Sequence, residues 1–515
     1  LFKKARNEFL RRCVFLREQW NTKAGFLLAA IGSAVGLGNI WRFPYIAAQN
    51  GGGAFLLPYF FAILTAGIPI LILEYTIGKT YRGGAPVALA RINRKFEWLG
   101  WAQVMVAFMI TIYYFAIIVW VVSYIGFSFT QAWGNDPTTF FVKYLGLTSS
   151  GTDLGGIQTS LIFPFLLVWI IAAVILYAGI KRGIEIACKI CLPILLIMIV
   201  ILVIRGVTLP GASDGLEYMF RPDWHALGDS SVWVAAYGQI FFSLSIAFAI
   251  MISYSSYLPK KTDVVNSAFI TATANHGFEV FAGIGVFSII GYMAMQQGVP
   301  VADVAGAGVG LAFMTFPTAI STLPALNAFF GVCFFGALFT AGLTSLISII
   351  QAVVSGMQDK FGMNHKKAVT VVLIPAFLLS ILFITGAGLT ILDIIDAFVN
   401  QIGITACGVL EVLLMTWFFN PEKLRAEANE FSNFSIGKWW TWCLKIVTVI
   451  ILGIMLILNT KTFITKGYGG YAQLDVNIYG WGSIAIIVIG AVVFTAMKGK
   501  DGYRDLHEIS RKEVE

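Results

Sequence analysis

Five stretches of the 515-residue chain, 98–135, 157–180, 230–259, 304–358 and 476–497, contain no Asp, Glu, Lys or Arg. A helix needs about 20 apolar residues to cross a bilayer core, and every one of these stretches is long enough. Lipid offers no hydrogen bonds, so such runs fold as helices that satisfy their own backbone. The whole chain is 58% hydrophobic and only 12% charged, where a soluble domain carries about 25% charged residues. An all-α integral membrane protein is predicted. Its twelve transmembrane helices fall at 24–50, 53–79, 99–133, 158–180, 187–206, 229–257, 264–293, 327–358, 367–387, 390–418, 438–458 and 478–498.

The net charge of +8 reads as topology, with no nucleic-acid partner implied. Lys and Arg collect in the N-terminal tail, the 2–3 loop (Arg82, Arg91, Arg94, Lys95), the 4–5 loop (Lys181, Arg182, Lys189) and the 8–9 loop (Lys360, Lys366, Lys367). Basic loops stay cytoplasmic. The loops 134–157, 207–228 and 294–326, which hold Asp136, Asp153, Asp214, Glu217, Asp223 and Asp303, fall on the other side. Both termini are then cytoplasmic, as an even helix count requires. None of the six cysteines lies in 134–157, so no extracellular disulfide is expected. Cys188-x-x-Cys191 has no second pair to complete a zinc site. The sequon Asn433-Phe434-Ser435 is on the cytoplasmic side. These features fit a multi-pass protein of a bacterial inner (plasma) membrane.

Two of the helices are interrupted. Residues 32–44 read Gly32-Ser33-Ala34-Val35-Gly36-Leu37-Gly38-Asn39-Ile40-Trp41-Arg42-Phe43-Pro44. Glycine costs a helix about 1 kcal/mol relative to alanine, and an uncompensated charge at membrane depth costs several. Irregular backbone is tolerated there when it lines a polar cavity. Five helices later, Phe241-Phe242-Ser243-Leu244-Ser245-Ile246-Ala247-Phe248-Ala249 gathers small and hydroxyl residues at the centre of helix 6. Matching interruptions in two halves of a chain point to a transport site between inverted repeats; close helix packing through small residues is the simpler reading of either one alone. The halves are 24–206 and 229–418, with two further helices at 438–498. Five is odd, so the second half enters from the opposite side.

Other polar groups sit at mid-membrane: Thr344 and Ser345 after Ala341-Gly342-Leu343, Asn275-His276-Gly277-Phe278-Glu279, Tyr113-Tyr114, Glu74 and Glu411. No two acids have the spacing of a catalytic or divalent-metal pair. Neutral oxygens predominate near the breaks, which suits Na+ better than a divalent ion. With no nucleophile–base pair, metal cluster or phosphate loop, an enzyme is not expected.

The motifs Ser33 to Pro44, Asn50-Gly51-Gly52-Gly53-Ala54-Phe55, Gly238-Gln239-Ile240-Phe241-Phe242-Ser243-Leu244-Ser245 and Ala341-Gly342-Leu343-Thr344-Ser345 resemble the neurotransmitter:sodium symporter family. The bacterial amino-acid branch is the nearest match, and the resemblance runs from about Arg17 to Leu410. It implies the leucine-transporter fold, with inverted five-helix repeats and broken helices 1 and 6. It further implies two sodium ions. One is held by the Ala34 carbonyl, Asn39, Ser243, Asn275 and the substrate carboxylate. The other is held by carbonyls of Gly32, Val35 and Ala341 and the hydroxyls of Thr344 and Ser345, unless those hydroxyls only bond back to their own helix. The substrate carboxylate takes the amides of Leu37 and Gly38 and the Tyr114 hydroxyl. Its ammonium meets carbonyls of Ala34, Phe242 and Ser243 and the Ser245 hydroxyl.

Monoamine carriers of this family place an aspartate where this chain has Gly36, so the resemblance favours a substrate with its own carboxylate. The side-chain subsite it implies, Ile110, Phe242, Phe248, Ser345, Leu346 and Ile349, carries no charge; a neutral, apolar α-amino acid follows. Relatives often have glycines at the positions of Ala247 and Ala249 and a smaller residue at Leu346, so the extra methyls lean toward small substrates. Glu279 stands where chloride-dependent relatives have a small polar residue beside Tyr59, Gln239, Ser243 and Asn275. It is expected to replace chloride and to carry a proton on the return step, unless it is a constitutive structural acid. Glu74 and Glu411 read as structural, bonded to backbone near the breaks. Arg42 and Asp396 form the outer gate by resemblance, bridged through water, with Tyr114 and Phe242 beneath. Arg17 and Asp359 form the inner gate under Trp20 and Tyr257. The tail from Lys498 is expected to be solvated. Sodium-coupled import by alternating access is the expected function, with a monomer sufficient and a homodimer open. A sensor on the same fold and a proton-coupled carrier are the competing readings.

Overall fold

The structure is a computed structural model that describes residues 18–305 and 308–504. Helices account for its regular structure: among the described residues the one β-type pairing is an isolated bridge between Ile157 and Thr385. Among the described residues ten helices are long and apolar enough to cross a bilayer: Gly52–Tyr81, Arg94–Thr130, Thr159–Tyr177, Ile180–Val207, Val264–Gln297, Asn327–Phe361, His365–Ile384, Gly388–Trp417, Lys438–Thr465 and Gln473–Ala496. The first span is a bent pair, Lys23–Ala34 and Leu37–Gln49, with 57° between its halves. The sixth is Ser230–Ser243 followed, after six residues, by Ile250–Ser255. The bent pair brings the span candidates among the described residues to eleven, and the two short helices, neither long enough to cross alone, stand where the sixth of the twelve segments is expected.

Burial sorts the spans into an inner and an outer set. The apolar window of Asn327–Phe361 is 94% buried and that of Arg94–Thr130 is 89% buried, whereas Ile180–Val207, Lys438–Thr465 and Gln473–Ala496 are each 22% buried. Spans 3 and 8 therefore run through the protein interior beside the breaks, and spans 5, 11 and 12 turn large apolar side chains outward.

Two boundaries differ from expectation for the same reason. Span 3 begins at Arg94 and span 5 at Ile180, so Lys181, Arg182 and Lys189 are helical instead of lying in a loop. Charge ends an apolar run without ending a helix when the charge is paired. Lys189 Nζ bonds Glu185 Oε1 at 2.6 Å one turn away, and the buried Glu97 in the first turn of span 3 meets the buried Lys360 Nζ at 2.8 Å.

In the described part of the C-terminal tail Lys498, Lys500, Asp501 and Gly502 are exposed, while Tyr503 and Arg504 are half-buried and anchored. Tyr503 donates its hydroxyl to Glu97 Oε2 at 2.8 Å, Arg504 Nε reaches the same oxygen at 3.0 Å, and Lys500 N bonds Lys360 O at 2.8 Å. The tail thus ties together the neighbouring ends of spans 3, 8 and 12.

Candidate functional site

The first break spans two residues. Val35 (φ −73°, ψ 90°) and Gly36 (φ −112°, ψ −167°) are extended, and the helix resumes at Leu37. The amides that open the second half-helix have no intrahelical acceptor, and the dipole there favours an anion. Gly36 N is taken by Asn39 Oδ1 at 2.9 Å, which leaves Leu37 and Gly38 as the amides at the break.

Two glycines open this region. A Cβ on Gly36 would lie 3.4 Å from the Tyr114 hydroxyl and 3.6 Å from Ser345 Oγ, so a side chain there would point between spans 3 and 8. A Cβ on Gly38 would lie 2.1 Å from Phe242 Cε1, so only glycine lets span 1 pass the Phe242 ring. The Tyr114 hydroxyl also lies beside the Leu37 backbone.

The second break is built differently. Ser245, Ala247 and Ala249 all take left-handed backbone (φ 53°, 69° and 72°), which costs an L-residue about 1–2 kcal/mol apiece. Two bonds from neighbouring spans hold it. Glu74 Oε1 of span 2 accepts the Ala247 amide at 2.5 Å, and Ser245 Oγ donates to Ser33 O of span 1 at 2.9 Å. The breaks are thus joined to each other. The methyl of Ala247 faces Gly408 of span 10, 3.3 Å from the place of a Cβ there.

Three sodium-ligand candidates from three spans converge. Asn39 Nδ2 bonds Asn275 Oδ1 at 2.9 Å and Ser243 Oγ at 3.3 Å, and Asn275 Nδ2 bonds Ser243 Oγ at 2.5 Å. All three are buried. A cation taken up here would exchange these mutual bonds for contacts with neutral oxygens, the donor set a hard monovalent ion accepts. Ala34 is buried at the last helical position before the break.

The second candidate set also lies together. A Cβ on Gly32 would sit 3.3 Å from Thr344 Cβ, so span 1 touches span 8 at this point. Thr344 Oγ1 donates back to Thr340 O and Ala341 O at 3.1 Å each, which is the local bonding expected of an intrahelical threonine. That does not exclude ligation, because a hydroxyl giving its proton to its own helix keeps its lone pairs for a cation. Val35, Ala341 and Ser345 are buried beside it.

For the apolar subsite, Ile110 precedes Tyr114 by one turn on span 3 and Ile349 follows Ser345 by one turn on span 8, which puts each on the same helix face as its partner. Phe248 is buried in the unwound part of span 6, and Leu346 is fully buried.

Glu279 lies in a dense buried cluster. Gln239 Nε2 donates to Oε1 at 2.8 Å, Tyr59 donates its hydroxyl to Oε2, and His276 Nδ1 is 3.0 Å from the same oxygen. The Tyr59 hydroxyl is 2.5 Å from His276 Nδ1. The role of His276 escaped the sequence reading, although its i, i+3 spacing from Glu279 puts both on one helix face. Glu411 departs from expectation: it bonds the Gln103 side chain at 2.7 Å, not backbone.

At the outer end the Arg42 guanidinium stacks over the Phe242 ring at 4.3 Å. Asp396 accepts instead from Tyr113 at 2.7 Å and from Asn400 Nδ2 at 2.7 Å. Arg42 and Asp396 are not in direct contact within 4.0 Å, so any bridge between them needs a mediator. Tyr113 and Asn400 were not foreseen as gate residues; Asn400 lies one turn after Asp396, which was the available signal.

At the inner end Trp20 is buried, its indole N–H bonding Tyr254 O at 2.9 Å and its amide bonding Tyr257 O at 3.2 Å. Tyr257 in turn lies 2.7 Å from Ser355 Oγ through its hydroxyl. Asp359 accepts the Gly84 amide at 2.6 Å. Arg17 lies outside the described residues.

The sodium:neurotransmitter symporter family model matches residues 17–143 and 133–499. An uncharacterized sodium-dependent transporter of Methanocaldococcus jannaschii is 43% identical over 488 residues, covering 95% of this chain and 99% of the relative. Sodium-dependent dopamine transporters of Bos taurus and Caenorhabditis elegans are each 30% identical, covering 94% and 92% of this chain and 75% and 84% of their own lengths. A chain matched over residues 17–499, with its first and sixth spans broken around one polar cluster, belongs to the sodium:neurotransmitter symporter family and is a multi-pass, sodium-dependent transporter.

Proposed function

We propose that the transporter imports a neutral, apolar α-amino acid with two sodium ions, without chloride, by alternating access. The observation that carries this is the opening left by Gly36. The space beside its Cα faces the Tyr114 hydroxyl and Ser345 and adjoins the amides of Leu37 and Gly38 that open the second half-helix. Donors meet there with no acid among them, so the negative group comes with the substrate.

Under this reading the substrate carboxylate completes the shell of the ion at Ala34, Asn39, Ser243 and Asn275. Sodium and substrate then bind as one unit. The ammonium meets span 6 carbonyls at Phe242 and Ser243 and the Ser245 hydroxyl, while Ile110, Phe248 and Ile349 line an uncharged subsite. The second ion, at Gly32, Val35, Ala341, Thr344 and Ser345, ties span 1 to span 8 and favours the inward-closed arrangement sealed by Trp20 and Tyr257. Release of that ion frees the cytoplasmic half of span 1, and opening passes from Arg42 and Asp396 to Asp359 and its neighbours. Both termini face the cytoplasm.

The chloride-free reading rests on Glu279. Its carboxylate takes the Tyr59 and Gln239 donors that an anion would otherwise use, so one fixed negative charge balances sodium. Its protonation on the empty return accounts for proton counter-transport.

The relatives named as dopamine transporters make a monoamine the second reading. Uptake into proteoliposomes under an inward sodium gradient decides. Labelled alanine, valine or leucine accumulates in chloride-free buffer if the proposal holds. Uptake of dopamine but of no amino acid overturns it.

A further inference from the structure

Glu74 and Glu411 form a buried acid pair that takes no part in the sodium and substrate clusters. Both are fully buried. Glu74 spends one oxygen on the Ala247 amide and Glu411 spends one on Gln103 Nε2. The other oxygens, Glu74 Oε2 and Glu411 Oε1, have no hydrogen-bond partner, and neither has Gln103 Oε1. Ala247 links the two acids: its amide is held by Glu74, and its methyl packs on Gly408, one turn before Glu411 on span 10.

What faces the pair from each neighbouring element is uncharged. Span 2 adds Tyr75, whose hydroxyl lies 3.1 Å from Thr271 Oγ1, and span 10 adds the Cys407 thiol. Span 3 supplies the Gln103 amide, and span 6 supplies the Ala247 amide to the carboxylate and Ser255 to the Glu74 main-chain carbonyl at 3.2 Å. Among the described residues no Lys, Arg or His forms an ion pair with either carboxylate.

Three orphan acceptors and two like charges in one dry site lack both a donor and a cation. A single proton supplies the donor and removes one of the charges. We propose that the Glu74–Glu411 pair binds one proton, and that its hold on Ala247 ties that proton to the shape of the unwound segment of span 6. This is a titratable site separate from Glu279, and it does not rest on the substrate assignment. Loss of the proton leaves two negative charges behind the break, so transport slows as the pair deprotonates.

Infrared spectroscopy of the full-length protein reads the proton as the carbonyl stretch of a neutral carboxylic acid. The band is expected in the wild type at neutral pH, to persist in Glu279→Gln, and to lose intensity in Glu411→Gln and in Glu74→Gln. In proteoliposomes, wild-type uptake falls at alkaline pH, whereas Glu411→Gln, whose amide cannot deprotonate, loses that decline. Absence of the band in Glu279→Gln overturns the proposal without requiring either pair variant to fold. A band unchanged in both pair variants, or an alkaline decline retained in Glu411→Gln, overturns it as well.

Discussion

Gly36→Asp separates a substrate-borne carboxylate from a protein-borne one. The backbone accepts the change, because φ of −112° is open to any residue and the new Cβ would meet Tyr114 Oη at an ordinary 3.4 Å. The carboxylate would then occupy the place assigned to the substrate's own. Two carboxylates about 4 Å apart at an effective dielectric near 20 repel by about 4 kcal/mol. Protonating the new acid is no escape: moving a carboxyl from its usual range near 4 to neutral pH also costs about 4 kcal/mol. Both routes weaken amino-acid binding by about a thousandfold. Scintillation-proximity binding of labelled amino acid to the purified variant measures this, with the thermal midpoint as a folding control. Sodium binding is expected to survive, since the ion at Asn39, Ser243 and Asn275 gains an acid in place of the substrate's. Amino-acid affinity within tenfold of wild type, in a folded variant, refutes the assignment of the Gly36 space.

Further outcomes follow from the same geometry. Gly38→Ala drives a methyl into the Phe242 ring, 2.1 Å from Cε1, and displaces it from Arg42; overpacking of about 1–3 kcal/mol should appear as a KM raised by roughly 5- to 150-fold in uptake assays. Glu279→Ser should make uptake require chloride, with its rate no longer following internal pH; a chloride-indifferent, active variant contradicts the anion assignment. Lys360→Met leaves the buried Glu97 with Arg504, Tyr503 and the Trp101 indole but without its buried cation, so a loss of about 3–5 kcal/mol is expected in thermal unfolding, partly recovered by adding Glu97→Gln. Two sodium ions and a zwitterion carry two charges inward, a gain of about 4.6 kcal/mol per 100 mV. A charge-to-substrate ratio of about two, or about one with a returning proton, is expected in solid-supported membrane currents, and electroneutral uptake is not.

The sequence located both breaks, but for different reasons each was only partly legible. At the first, Gly36 and Gly38 mark the backbone directly, since one opens a space and the other avoids a ring. At the second, Ser245, Ala247 and Ala249 hold left-handed backbone without glycine; the stabilising partners, Glu74 and Ser33, lie 173 and 212 positions away, and no local pattern reveals them. The convergence of Asn39, Ser243 and Asn275 followed from the family resemblance, not from spacing. The Asp396 partners were missed because a charge of opposite sign, Arg42, was nearer to hand than the neutral Tyr113 and Asn400. The anchoring of Arg504 was not legible because the buried acid that receives it, Glu97, is 407 positions away.

The central claim is that sodium and a zwitterion share one cage formed by the two breaks, and equilibrium binding tests it most directly. Labelled leucine or alanine is titrated against the purified transporter over a range of sodium concentrations in chloride-free buffer. The account predicts that affinity for the amino acid rises with sodium and that, reciprocally, the amino acid tightens sodium binding by the same factor. Amino-acid binding indifferent to sodium contradicts it.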